Sequence, residues 1–167
     1  SASQKEVQVN IEASKLPITL EETLKNSEWN KKGKNNYNAP ENMFVNENLE
    51  LLWKKDVGDG EGTYNKIYTQ PVGNENFLYV LDADGKLVSL NIINGDIIWE
   101  KYIFPSEESI NTNIDGGLVL SGNNLVVSSS YGEIIKLNIK DGNIEWKKNI
   151  NAPVQGAPSI FNNFIYQ

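Results

Sequence analysis

An all-β fold of repeated four-stranded antiparallel sheets is predicted by three observations. Tryptophan recurs at Trp53, Trp99 and Trp146, at intervals of 46 and 47 residues. When the last two Trp are superimposed, Gly85 falls on Gly132, Leu90-Asn91 on Leu137-Asn138, and Gly95 on Gly142. Between them lie short apolar runs punctuated by Asp84-Gly85, Asn94-Gly95, Tyr131-Gly132 and Asp141-Gly142. No useful helical period interrupts these runs.

The elements follow in order. In the first full unit, strands are predicted over roughly Tyr68–Val72, Phe77–Asp82, Lys86–Asn91 and Asp96–Lys101. The Asp-Gly and Asn-Gly pairs are hairpin signals, because glycine supplies the positive φ of a tight turn without steric cost. The second unit repeats this arrangement over 117–148, and a third opens at Ala157-Pro158-Ser159 with strands through Tyr166. A unit of ~45 residues with four strands and a Trp in the last is the signature of a β-propeller blade. The run Phe77-Leu78-Tyr79-Val80-Leu81 is apolar on both faces. A single blade cannot bury both, so blades stack around an axis. Trp99 and Trp146 are accordingly predicted to pack blade against blade.

Residues 1–48 are read as an N-terminal arm. Val7, Val9 and Ile11 alternate with polar residues and suggest one strand. Thr19-Leu20-Glu21-Glu22 has the form of a capping box, predicting a short helix to about Asn26. The Asn-rich stretch from Asn30 to Asn48 reads as a polar linker or extended arm. The partial propeller then occupies 49–167, as an outer strand at 49–55, blades at 68–101 and 117–148, and a truncated blade at 157–167. Leu49–Lys55 is expected to complete the last blade of a closed ring.

Composition narrows the function. The chain has 15 Lys and no Arg against 22 Asp plus Glu, for a net charge of −7, and it has no Cys and no His. No disulfide, thiolate nucleophile or Cys-ligated metal is available. Neither is an imidazole base or a Ser-His-Asp triad. The acidic balance opposes nucleic-acid binding. No apolar run approaches the ~18 residues of a membrane-spanning helix, and the opening residues lack the apolar stretch of a signal peptide.

Three local patterns invite chemistry and lose to simpler readings. Asp82-Ala83-Asp84-Gly85 resembles a calcium loop, but Val80 and Asn91 stand where the first and twelfth ligands belong. Gly58, Gly60 and Gly62 do not open a helix, and Asp59 and Glu61 repel phosphate. That stretch reads as a loop joining an outer strand to the next blade. Carboxylates are plentiful, but none recurs in a pair that marks catalysis. No catalytic, cofactor-binding or metal residue is assigned; the singled-out positions are structural ones, Trp53, Trp99, Trp146, Gly85, Gly95, Gly132 and Gly142.

The pattern Leu-Asn-x-x-x-Gly-x-x-x-Trp, from Leu90 to Trp99 and Leu137 to Trp146, resembles the repeat of PQQ-like propellers of the quinoprotein alcohol dehydrogenase type. The segment Leu52–Tyr64, which leads into the first blade, resembles the BamB family of propeller lipoproteins of the outer-membrane β-barrel assembly machinery. Trp29–Gly33, Gly116–Glu133, Ala152-Pro153 and Ala157-Pro158 match the same family's spacing. The resemblance implies about two and a half blades of an eight-bladed ring. It implies a non-enzymatic scaffold on the periplasmic face of the outer membrane, without cofactor. Its partners would be the barrel-inserting subunit and unfolded outer-membrane proteins.

Membrane attachment would come only through a lipid anchor, whose Cys this chain lacks. The family's main partner-binding loops fall in later blades, so none of those residues is carried over. The alternatives are a PQQ-dependent quinoprotein dehydrogenase fragment or an interaction module of another envelope complex. With two blades and part of a third, edge-to-edge self-association is also expected.

Overall fold

In the computed structural model, residues 10–35, 40–58, 67, 69–104, 116–154 and 156–167 are described. They form two four-stranded antiparallel sheets and a two-stranded one, each a simple meander. The first blade holds β1 (Val72–Gly73), β2 (Phe77–Leu81), β3 (Lys86–Asn91) and β4 (Ile97–Tyr102). The second holds β5 (Gly117–Ser121), β6 (Asn124–Ser128), β7 (Glu133–Asn138) and β8 (Ile144–Asn149). A third begins with β9 (Ser159–Phe161) and β10 (Phe164–Tyr166). The architecture is that of a partial β-propeller.

Burial follows the expectation for stacked sheets. Leu87 through Leu90 of β3 are all buried, as are Gly117 through Leu120 of β5 and Leu125 through Ser128 of β6. One core joins the blades, with Tyr79, Leu81 and Leu87 from the first and Leu118, Leu125 and Leu137 from the second. The outer strands β4 and β8 are mostly exposed. They carry cross-strand pairs instead, Lys86 with Glu100 at 3.2 Å and Lys136 with Glu145 at 2.7 Å. Each such pair contributes only about 0.2–1 kcal/mol.

The two blades share a register irregularity. The β3–β4 ladder shifts between Ser89 and Leu90, and the β7–β8 ladder shifts between Lys136 and Leu137. These positions are one repeat apart. A bulge there re-aims the outer strand, leaving Trp99 opposite Ser89 and Trp146 opposite Lys136.

The hairpins form where the glycine signals placed them, but with longer loops than a two-residue turn. Asn91 N–H donates to the Asp96 carbonyl at 2.8 Å, enclosing Ile92–Gly95 as a four-residue loop. Asp82 N–H donates to the Lys86 carbonyl at 3.0 Å, enclosing Ala83–Gly85. In each, the glycine takes the closing left-handed position, with φ of 73° at Gly95 and 84° at Gly85. Gly132 and Gly142 do the same in the second blade.

Asp82 is buried and organises its loop by accepting the N–H of Asp84 at 3.0 Å and of Lys86 at 2.7 Å on Oδ1. Asp82→Ala leaves both amides without this acceptor. The substitution is expected to lower stability by about 1–3 kcal/mol, read as the urea midpoint. Asp82→Asn keeps Oδ1 and is expected to recover most of the loss.

The arm differs from its sequence reading. Val7 and Val9 lie outside the described residues, and Ile11 falls in a turn. The helix expected from Thr19 to about Asn26 is absent; the helical piece is a single 3-10 turn at Ala13–Lys15. A two-turn helix is unstable without a face to bury, and Leu16, Ile18, Leu20 and Leu24 are all exposed. Leu24 instead gives its N–H to the Asn42 carbonyl and accepts from the Phe44 N–H, both at 2.8 Å. Leu49–Lys55, expected as an outer strand, has no ladder partner among the described residues. A strand is defined by the neighbour it pairs with, and Leu49, Leu51 and Leu52 stay exposed.

Candidate interaction site

The four-residue loop after the third strand of each blade is built to receive a tryptophan. In the first blade, Asn91 Oδ1 accepts the N–H of Ile93 at 2.8 Å. In the second, Asn138 Oδ1 accepts the N–H of Lys140 at 2.9 Å. This bracing is the work of the Asn in the repeated Leu-Asn pair. It turns the carbonyl of the next residue outward, Ile92 in one loop and Ile139 in the other.

Trp53 Nε1–H donates to the Ile92 carbonyl at 2.9 Å, and Trp99 Nε1–H donates to the Ile139 carbonyl at 2.9 Å. The ring faces match too. A Cβ added to Gly95 would lie 2.7 Å from Trp53 Cε3, and one added to Gly142 would lie 2.8 Å from Trp99 Cε3. Each indole therefore lies flat on a loop glycine while its N–H caps a loop carbonyl. Trp53 docks in this way although its segment belongs to no sheet. Trp146 has no such loop among the described residues, and its side is the most open of the three, with 37% exposed.

The structure thus brings Trp53 to Gly95 and Trp99 to Gly142. Gly85 and Gly132 lie apart from these contacts, in the turns between the second and third strands. Sequence reading did not assign the Asn91 and Asn138 side chains a role. The signal was the identity of the pair preceding each loop.

Tyr79 completes the junction. It is fully buried, its hydroxyl donates to the Ile139 carbonyl at 3.3 Å, and its ring lies 6.0 Å from that of Trp99. Burial pushes the phenol up to about 12 from an ordinary 10.0, with the Ser89 hydroxyl offsetting this in part. A raised folded-state value means that the neutral phenol is the form the native state favours. Its contribution is complete below about pH 10 and is lost as pH rises through about 12. Wild type is expected to lose stability across that window, and Tyr79→Phe to lose less there, measured as urea midpoints at pH 9 and pH 11.5.

The arm binds the opposite, inner side. Trp29 N–H donates to the Gly73 carbonyl at 2.8 Å, and Gly73 N–H returns to the Trp29 carbonyl at 2.9 Å. Leu120 N–H donates to the Asn30 carbonyl at 2.7 Å, and Lys31 Nζ reaches Ser159 Oγ at 2.9 Å. Three consecutive arm residues therefore tie together the first strands β1, β5 and β9. The stretch that sequence reading left as linker begins as a strap across all three blades. Open grooves flank it, one lined by Trp29, Lys31, Lys32, Gly33, Gln70 and Ala157. Among the described residues, no three acidic, His or Cys side chains gather as a metal site, and no helix is long and apolar enough to cross a membrane.

Comparison with known proteins places this geometry. The family described as outer membrane protein assembly factor BamB matches residues 105–166. The chain is 31% identical over 75 residues to outer membrane protein assembly factor BamB of Pseudomonas aeruginosa, covering 44% of this chain and 19% of that protein. It is 37% identical over 51 residues to the BamB of Alteromonas naphthalenivorans, covering 30% of this chain and 12% of that one. The chain thus spans only a minor part of these curated relatives.

Among solved structures, quinohemoprotein alcohol dehydrogenase from Comamonas testosteroni superposes with a TM-score of 0.64 at 18% identity. That match covers 83% of this chain and 22% of the enzyme. A europium-containing methanol dehydrogenase gives 0.63 at 18% identity, covering 83% of this chain and 27% of that one. At such identities the likeness concerns the fold. Repeat, blade geometry and relatives agree: the chain folds as a partial β-propeller and is similar to outer membrane protein assembly factor BamB over part of its length.

Proposed function

We propose that this chain is part of a non-enzymatic scaffold that assists the assembly of outer-membrane proteins. It would act at the periplasmic face of the outer membrane, held there by a lipid anchor outside this sequence. The observation that carries the reading is the sequence similarity to outer membrane protein assembly factors, over residues 105–166 for the family and over 75 residues for one relative. The residue inventory supports it, since the chain offers no His, Cys or Arg for catalysis.

The partners in this reading are the barrel-inserting subunit and unfolded outer-membrane proteins. Contact would run through loops and exposed strand edges, an extended segment adding to a sheet by main-chain hydrogen bonds. Crosslinking in cells tests it with the natural gene product that carries this sequence. Capture of the barrel-inserting subunit is expected, and repeated absence of that subunit would sink the proposal. Edge-to-edge self-association belongs to the same reading, and a compact monomer by light scattering would count against it.

The alcohol dehydrogenase likeness keeps a second reading in view, a segment of a quinoprotein dehydrogenase. Titration with PQQ and calcium separates the two. Saturable binding with a change in the visible spectrum would favour the enzyme.

A further inference from the structure

The strap holds to the blades chiefly by its backbone and leaves its side chains for another use. At Trp29 and Asn30 the ties to β1 and β5 are main-chain hydrogen bonds, which any residue but proline makes. The composition of the stretch is nevertheless distinct. From Trp29 to Pro40 there are three Lys and no Asp or Glu, in a chain whose net charge is −7. A turn closed by Lys34 N–H on the Lys31 carbonyl at 2.9 Å, with Gly33 at a φ of 74°, leaves Lys32 exposed at its bend.

These side chains meet in the groove of about 540 Å³ lined by Trp29, Lys31, Lys32, Gly33, Gln70 and Ala157. The arm supplies one wall, and the residues leading into β1 and β9 supply the other. Lysine ammonium and indole N–H groups only donate hydrogen bonds, and Gln70 alone can also accept. No carboxylate of the described residues lines the groove. The acids nearest along the arm are engaged elsewhere. Glu28 Oε2 accepts the Asn30 Nδ2–H at 2.7 Å and lines the neighbouring groove, while Glu41 pairs with Lys34. Lys31 Nζ meets a neutral hydroxyl, that of Ser159. Neither Lys31 nor Lys32 forms an ion pair among the described residues.

We propose that this groove binds an extended acidic peptide, its carboxylates on Lys31 and Lys32 and an apolar side chain on Trp29. Donor-only walls select a negatively charged ligand, because an acceptor-poor site leaves a cationic or donor-bearing ligand unsatisfied. Volume then favours a peptide over a single small anion. The groove has the size of sites that hold ligands of some tens of atoms, and Trp29 offers an apolar surface that a bare anion cannot use. The inference stands apart from the assembly role, since it fixes the charge of the ligand and not its source.

The test uses the whole chain and a fluorescein-labelled hexapeptide alternating Glu and Leu. Anisotropy measures binding, and the Trp29 indole N–H resonance, assigned with Trp29→Phe, reports where the peptide sits. Saturable binding that shifts this resonance is expected, with affinity falling as salt rises. Lys32→Gln should weaken binding about threefold, while Lys140→Gln, at an exposed lysine of a blade loop, should leave it unchanged. Equal affinity for a peptide alternating Gln and Leu would overturn the proposal. So would a Lys32→Gln variant that binds as tightly as Lys140→Gln. Inorganic phosphate that shifts the Trp29 resonance as the peptide does would also overturn it, in favour of a simple anion site.

Discussion

Trp99→Ala is expected to cost about 3 kcal/mol of folding stability, near the lower end for truncating a packed tryptophan. Two losses combine in this number. The indole covers the Gly142 loop, and its N–H caps the Ile139 carbonyl at 2.9 Å. Trp99→Phe separates them, keeping a ring over the glycine and losing only the hydrogen bond, so about 1 kcal/mol is expected. Gly142→Ala attacks the same contact from the other side. Its Cβ would enter the space of Trp99 Cε3, at a residue whose φ is 66°.

Because Trp99 and Gly142 touch, the double variant should lose less than the sum of the singles. Trp146→Ala serves as the internal control. The same residue type at the same repeat position, without a docking loop, should change stability by less than about 1 kcal/mol. Urea unfolding of the five variants measures all of this. Equal losses at Trp99 and Trp146 would show that docking contributes nothing.

The second large effect is at the junction of the second and third blades. A Cβ on Gly117 would lie 2.3 Å from Ala157 Cα and 2.6 Å from Ala157 N. Both are backbone atoms, which cannot swing aside as a side chain can. Gly117→Val is expected to cost about 3 kcal/mol, at the upper end of overpacking effects. The loss should be directional. The third blade meets the second through β5 and β9 and is tied to the arm through Lys31 and Ser159. Limited proteolysis should therefore release the segment after Asn149 while the first two blades stay protected. Gly122→Ala is the control, since a Cβ there meets nothing within 4 Å. Its cost is confined to backbone strain at a φ of 55°, about 1 kcal/mol. Uniform cleavage across both blades of Gly117→Val would contradict the directional account.

Much of the blade was legible because its determinants are local. Glycine at Gly85, Gly95, Gly132 and Gly142 marks the turns through φ alone, and apolar runs on both faces identify a sheet stacked between sheets. The loops proved longer than the glycine pairs suggested, because Asn91 and Asp82 close them from two or more residues upstream. The capping box at Thr19 misled for a related reason. It states how a helix would start, not whether a surface exists to bury one, and Leu20 and Leu24 found none. The strap was illegible altogether. Two of its three ties use the backbone of Trp29 and Asn30, which carries no residue identity, and the third joins the Lys31 side chain to Ser159, 128 positions away.

The sequence by itself determined the repeat, its four-strand unit, its turn positions and the Trp–Gly spacing, since each is periodic and encoded within one unit. Tertiary structure decided what no single unit contains. Trp53 docks on Gly95 without a sheet of its own, and the arm crosses three blades at β1, β5 and β9. These contacts join residues about 40 or more positions apart, and their free energy is gained only after the blades have stacked.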